Sequence, residues 1–147
     1  MAFAYPAAVR RAAAQLGAPY QLGAKWAALD PAPAGPVDCS GFSKWLLSFA
    51  GVTLPDGSFN QIKVCSKLPA SLQQLPPALA LGFFDPQGDP DLVDHVIVSM
   101  GAGVVIEARG APYNCVICRP AAAWLAQIGF LGFYAPPGLT MVDPGAP

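Results

Sequence analysis

The sequence is short of charge. Asp, Glu, Lys and Arg together make up 12% of its 147 residues, about half the usual share, which excludes a solvating, disordered or coiled-coil chain. Lys and Arg number 8 against 9 Asp and Glu, with no basic block among them. The phosphate neutralisation on which nucleic-acid affinity rests is missing, and no nucleic-acid partner is expected. Long hydrophobic runs are missing too: 15 glycines and 17 prolines help cut the apolar stretches well below the roughly 20 residues of a bilayer span, so no transmembrane segment is expected. A signal peptide places its basic residues before an apolar run, whereas Arg10 and Arg11 follow the apolar start MAFAYPAAV. The chain is therefore expected to be synthesised in the cytoplasm without a signal peptide, and any work beyond the membrane needs a separate export or delivery route.

Histidine is scarcer still, with His95 alone beside 4 cysteines. A zinc site needs about four ligands, and the C-x-x-C pair Cys115 and Cys118 lies well past that histidine. Neither a metal nor an organic cofactor is expected. Cys115-Val116-Ile117-Cys118 reads as a short β-segment rather than the helix opening of a thioredoxin-like pair. These two, and Cys65 on a predicted helix, are read as small apolar residues, and without a signal peptide no disulfide framework is expected.

What is present is apolar: 54% of residues are hydrophobic, enough for one domain of this length to bury its own core. The chain is read as a single domain over 1–147, with residues 136–147 a Pro/Gly-rich tail. Pro6 suits a first helical turn, AAVRRAAAQL continues it, and Gly17 stops it. Residues 17–38 form a long loop with prolines at 19, 31, 33 and 36, and loops of that length are commonly functional. A second helix is predicted over Cys39–Ala50, with Asp38 as N-cap, Gly51 as stop, and Phe42, Trp45, Leu46 and Phe49 as its buried stripe. Asp56 is predicted to cap a third helix through Ser66. From Ala78 onward the chain turns to strands: ALALGFF, VDHVIVSM, VVIEAR, NCVIC and FLGFYA, with a helix at Ala121–Gln127 before the last. Helices first and antiparallel strands afterwards make an α+β architecture.

Three residues carry chemistry. Cys39 sits in the first turn of its helix, where unpaired N–H groups and the positive end of the dipole favour a thiolate and can hold an oxyanion. His95 is the only imidazole available as its base. Glu107 is the single acid inside the apolar strand VVIEA, and a buried acid needs a partner. A three-residue loop at Gly101-Ala102-Gly103 makes paired positions sum to 204, which sets His95 opposite Arg109 and Glu107 diagonal to His95 on the same face. A two-residue loop shifts the sum to 205 and separates the two faces unless a bulge intervenes. The catalytic reading requires the register of 204.

The ordered motifs P-Y-x-x-G (Pro19 to Gly23), D-C-S-G-F (38 to 42), L-P (54 and 55) followed by Gln61, F-F (83 and 84), D-H-V (94 to 96) and G-x-G-x-V-I-E-A (101 to 108) resemble the NlpC/P60 superfamily of papain-like cell-wall cysteine peptidases. The resemblance covers Pro19 to about Tyr134. It implies a papain-like NlpC/P60 fold with N-terminal helices packed on an antiparallel β-sheet, Cys39 as nucleophile, His95 as base and Glu107 as the residue that orients the imidazole. That third position is most often His in the family, so Glu is a departure; so is L-A-L-G in place of the usual G-D-L ahead of F-F. Tyr20 matches a tyrosine bordering the site. Asp38 and Ser40 match residues that help bind the stem peptide, and Asp38 beside the nucleophile suits a ligand ammonium.

The resemblance implies hydrolysis of peptidoglycan stem peptides, at the bond between γ-D-glutamyl and the diamino acid. Two other readings use the same residues. One is acyl transfer or thioester cleavage on a non-wall substrate; the other is a non-catalytic structural role in a phage or secretion assembly, which would also supply a delivery partner.

Overall fold

The computed structural model describes residues 6–141. Among the described residues there are four helices, α1 (Pro6–Ala13), α2 (Cys39–Ser48), α3 (Ser58–Val64) and α4 (Ala121–Leu125), with a 3-10 turn at Ala70–Leu72. Six strands, β1 (Ser66–Lys67), β2 (Leu81–Phe84), β3 (His95–Gly101), β4 (Val104–Arg109), β5 (Cys115–Pro120) and β6 (Phe130–Ala135), form one sheet in the order β1-β6-β2-β3-β4-β5. Every pairing is antiparallel, and α2 packs on β3 and β4. This is the expected α+β arrangement. Among the described residues no helix is long and apolar enough to cross a membrane.

The buried side chains divide by strand parity. Val96 and Val98 of β3 and Ile106 and Ala108 of β4 join Phe42, Trp45 and Leu46 of α2 in one cluster. Ile97 and Val105 point the other way, into a second cluster with Trp124, Ala121 and Phe133. Successive strand residues alternate faces, so His95 and Glu107 share parity with that second cluster. α1 contributes Ala8 and Ala12 to the first and lays the Arg11 guanidinium over the Phe49 ring, 4.3 Å from its centroid.

Local sequence accounts for the ends of α2. The Asp38 carboxylate accepts from the Gly41 N–H at 2.7 Å, an N-cap. At the other end the last turn tightens, with Gly51 N bonded to Ser48 O and Val52 N to Leu47 O. Gly51 adopts a φ of 79°, the left-handed turn of a Schellman motif. α1 is shorter than predicted, ending at Ala13, and Gly17 bonds Val116 of β5 instead of capping it directly.

Other expectations need correction. The third helix opens at Gly57, whose φ is 84°, with no side-chain cap. Asp56 instead pairs with Lys44 at 3.1 Å. Cys65 lies just beyond this helix in extended backbone, and Ser66–Lys67 is a short strand. α4 ends at Leu125 rather than Gln127. The β3–β4 turn is a two-residue loop, with Gly101 opposite Val104, followed by a bulge at Met100 that restores the sum of 204 at Ser99↔Val105 and Val98↔Ile106. The register is the one predicted; the loop is not, and the extra residue sits in the strand. Of the expected tail, residues 136–141 hold no helix or strand and 142–147 lie outside the described residues.

Main-chain groups of β5, and of β6 where the two-residue β1 leaves it uncovered, are partly occupied. Gly17 N donates to Val116 O and Val116 N to Ala18 O, and Pro19 bridges to Cys115. At the opposite side the Gln73 side chain donates to Leu68 O and Phe133 O and accepts from Phe133 N.

Gln61, fully buried, fastens α3 to the start of α2. Its amide donates to Ser40 O and Pro55 O, both at 3.0 Å, and accepts from the Ser43 hydroxyl at 2.7 Å. Gln61→Leu keeps the volume and removes all three bonds; the Ser43 hydroxyl still donates to Ser40 O at 3.0 Å, so Pro55 O is the group left without its partner, at roughly 1–3 kcal/mol. Urea unfolding should show a lower midpoint at unchanged slope, with a total loss of about 1–3 kcal/mol.

Candidate active site

Cys39 is the first residue of α2 and is buried at its start. His95 is the first residue of β3. Its place at the strand end lets a ring on the far face of the sheet meet the thiol at the head of α2. The Glu107 Oε1 accepts from His95 Nε2 at 2.8 Å, with the glutamate side chain fully buried and the histidine 15% exposed. The two residues the register set on one face are thus hydrogen-bonded. A carboxylate only accepts, so Nε2 carries the proton and Nδ1 is left to face the thiol.

The second oxygen of Glu107 is held as well: Trp124 Nε1 donates to Oε2 at 2.6 Å. The indole also lies beside the imidazole, ring centroids 5.4 Å apart. Arg109 Nε stands 3.9 Å from Oε1, and its guanidinium lies 5.0 Å from the centroids of both Tyr113 and Trp124. Sequence reasoning missed Trp124 and Arg109. The signal was present, since a buried acid needs donors and a tryptophan in a short apolar helix needs an acceptor, but nothing in the sequence matched one to the other.

Burial by itself would push the His95 pKa down. Hydrogen bonding and charge from Cys39 and Glu107 outweigh it and hold the imidazole at about 9, against an ordinary 6.5. A proton is therefore retained on the ring near neutral pH, beside the thiol.

Tyr20 lies within electrostatic reach of Cys39. Its phenol pKa is raised first by burial and then by the negative charges of Cys39 and Asp38. Asp38 departs from the role of an open ammonium receptor. Its carboxylate receives Lys25 Nζ at 2.7 and 2.9 Å, Gly23 N at 3.0 Å, Gly41 N at 2.7 Å and the Ser40 hydroxyl at 3.3 Å. Ser40 Oγ in turn accepts from Lys25 at 3.1 Å. Lys25, which the sequence did not single out, closes this cluster.

All four cysteines are free. Cys115 and Cys118, three apart in β5, point to opposite faces, and among the described residues no group of three or more His, Cys, Asp and Glu is placed to hold a metal.

A histidine whose folded pKa lies above its unfolded one stabilises the fold fully below the unfolded value and ceases to do so through the folded value. His95 should therefore lose its stabilising contribution as pH rises from 6.5 to about 9. Following the imidazole by NMR, its titration should move down in both Cys39→Ala and Glu107→Gln, each of which removes a group that holds the proton. An unmoved titration in both would contradict the placement of these charges.

No family model and no curated protein sequence matches the chain. Solved structures do. The NlpC/p60 domain of the peptidoglycan hydrolase SagA is similar at 26% identity and a TM-score of 0.64, over 88% of this chain and 96% of that one. The peptidoglycan hydrolase RipB from Mycobacterium tuberculosis is similar at 25% identity and a TM-score of 0.66, over 87% of this chain but 61% of that one. RipD from the same organism, a non-catalytic NlpC/p60 domain protein with an adaptation to peptidoglycan-binding function, shares the fold at 20% identity and a TM-score of 0.64, over 87% of this chain and 92% of that one. With an antiparallel sheet, a helix that begins at Cys39 and lies across it, and these neighbours, the chain belongs to the NlpC/P60 superfamily.

Proposed function

We propose that the protein is a cysteine peptidase that hydrolyses peptidoglycan stem peptides, at the bond between γ-D-glutamyl and the diamino acid. The observation that carries the hydrolase reading is the hydrogen-bonded His95–Glu107 pair beside the Cys39 thiol. The similarity to the peptidoglycan hydrolases SagA and RipB supports the wall substrate, and the particular bond follows the family resemblance.

Cys39 attacks the scissile carbonyl carbon as the thiolate, its proton resting on His95. Two of the first N–H groups of α2 are already used, Gly41 by the Asp38 carboxylate and Phe42 by the Asp38 carbonyl. Those of Cys39 and Ser40 remain to donate to the oxyanion of the tetrahedral intermediate. The imidazolium gives its proton to the leaving amine, the C–N bond breaks, and a thioester remains. Water, deprotonated by the neutral imidazole, then adds to the thioester and releases the acid and the thiol. Glu107 acts on the histidine only: it keeps Nε2 protonated and the ring turned toward Cys39, as the carboxylate does in Ser-His-Asp sites. Glycan cleavage fits poorly, because it commonly uses two carboxylates flanking the bond, while the carboxylates of Asp38 and Glu107, near Cys39, are buried and engaged by the protein's own donors.

RipD is a neighbour of the same fold and non-catalytic, so fold alone does not carry activity. The thiol, imidazole and carboxylate together are what favour catalysis here.

Incubation with purified muropeptides should yield new amino termini, identified by mass spectrometry. Cys39→Ala should abolish them without unfolding the protein, whereas Ser at 65, 115 or 118 should leave turnover within about tenfold. Glu107→Gln, which can still accept the imidazole N–H, should lose less turnover than Glu107→Ala. Reducing sugar ends without new amino groups would overturn the peptidase reading.

A further inference from the structure

Beside the nucleophile lies a carboxylate that is already filled. Asp38 is buried, 4% exposed, and its two oxygens take five hydrogen bonds, from Gly23, Gly41, Ser40 and twice from Lys25. A carboxylate offers about four lone-pair sites, so the group has no acceptor capacity left. The Lys25 ammonium has the acceptors a ligand ammonium would seek, both Asp38 oxygens and the Ser40 hydroxyl.

The backbone is shaped to admit this lysine. A Cβ at Gly41 would stand 3.0 Å from Lys25 Cδ and 2.8 Å from Ala24 O, so the missing side chain in the first turn of α2 is the space the lysine stem uses. The Lys25 side chain is 35% exposed, which leaves its charge felt at the rim. Cys39 follows Asp38 directly and opens the helix that Asp38 caps, so this cluster adjoins the thiol.

We infer that Lys25 is a specificity-determining residue: an internal ammonium that fills the Asp38 seat, so that the site takes peptides whose amino terminus is acylated and disfavours those with a free terminal ammonium. This rests on the peptidase reading above. A free ammonium entering beside Asp38 meets a like charge and no open acceptor, both of which oppose it. An N-terminal amide carries no charge and needs no counterion. The substrate class is then the stem peptide still joined through an amide at its amino end, rather than one already released with a free amine.

The test compares kcat/KM for one stem tetrapeptide in two forms, N-acetylated and with a free amino terminus. The wild-type protein should prefer the acetylated form by about tenfold or more. Lys25→Met removes the charge and leaves Asp38 open, and should move the ratio at least tenfold toward the free amine. Lys25→Arg keeps the charge and should keep the preference. Any loosening of the 23–25 loop slows both substrates together and leaves the ratio as it was, so the ratio is the quantity read. Equal rates for the two forms in the wild-type protein, or a ratio unchanged in Lys25→Met, would overturn the inference. If neither peptide is cleaved, the peptidase reading fails on its own, and calorimetric Kd values for the same two peptides decide the specificity: a preference for the acetylated form that Lys25→Met abolishes supports it, and equal or absent binding overturns it.

Discussion

A carboxylate sealed from water is the condition around which much of this structure is arranged. Glu107 has no exposure, and an ionised carboxylate so placed is costly unless its oxygens are bonded and its charge is matched. One oxygen meets His95 and the other Trp124. Supplying those partners constrains distant parts of the chain. His95 faces Glu107 only in the register of 204, which with a two-residue turn requires the extra residue at Met100. Trp124 reaches Oε2 only because α4 follows β5 directly and its first residue, Ala121, bonds Gly103 O at 2.8 Å in the β3–β4 turn. Bulge, turn and helix are thus tied to one buried acid.

A second hub stands at the head of α2. Asp38 caps the helix and binds the 23–25 loop, while Gln61 ties the same first turn to α3 and to Pro55. The Cys39 backbone is therefore fixed from both sides by side chains outside its own helix. A nucleophile has to be held to a fraction of an ångström to be effective, and for the proposed nucleophile that rigidity comes from buried polar contacts close to its sulfur.

Features governed by neighbours in sequence were legible before the structure. Asp38 as N-cap, Gly51 as helix stop and the apolar face of α2 each follow from local rules. The His95–Glu107 contact followed from strand parity and one assumption about the hairpin, and the register held although the loop assumed for it did not. Less legible were contacts created by the tertiary fold. Asp56 looked like a cap, but Gly57 opens α3 with a positive φ, and the carboxylate turned to Lys44. A strand of two residues, Ser66–Lys67, has no periodicity to detect. Lys25 lay in a proline-rich loop whose path no pattern foretold, and Trp124 was read as a helix residue without its acceptor. In each case the missing information was which loop returns to which strand.

The covered flanks of the sheet bear on how the protein behaves in a crowd. An open strand edge is a template for another chain, and it invites aggregation or domain swapping unless it is blocked. This chain has little charge with which to repel a copy of itself. Its protection is built into the main chain: Gln73 occupies the N–H and carbonyl of Phe133 beyond the short β1, and the Gly17–Pro19 segment occupies Val116 on β5. Each blocked residue sits within its strand and shortens the ladder that an approaching chain could extend. The segment that blocks β5 runs on into Tyr20, so the same stretch of backbone that occupies the sheet edge also places a side chain beside the proposed active site.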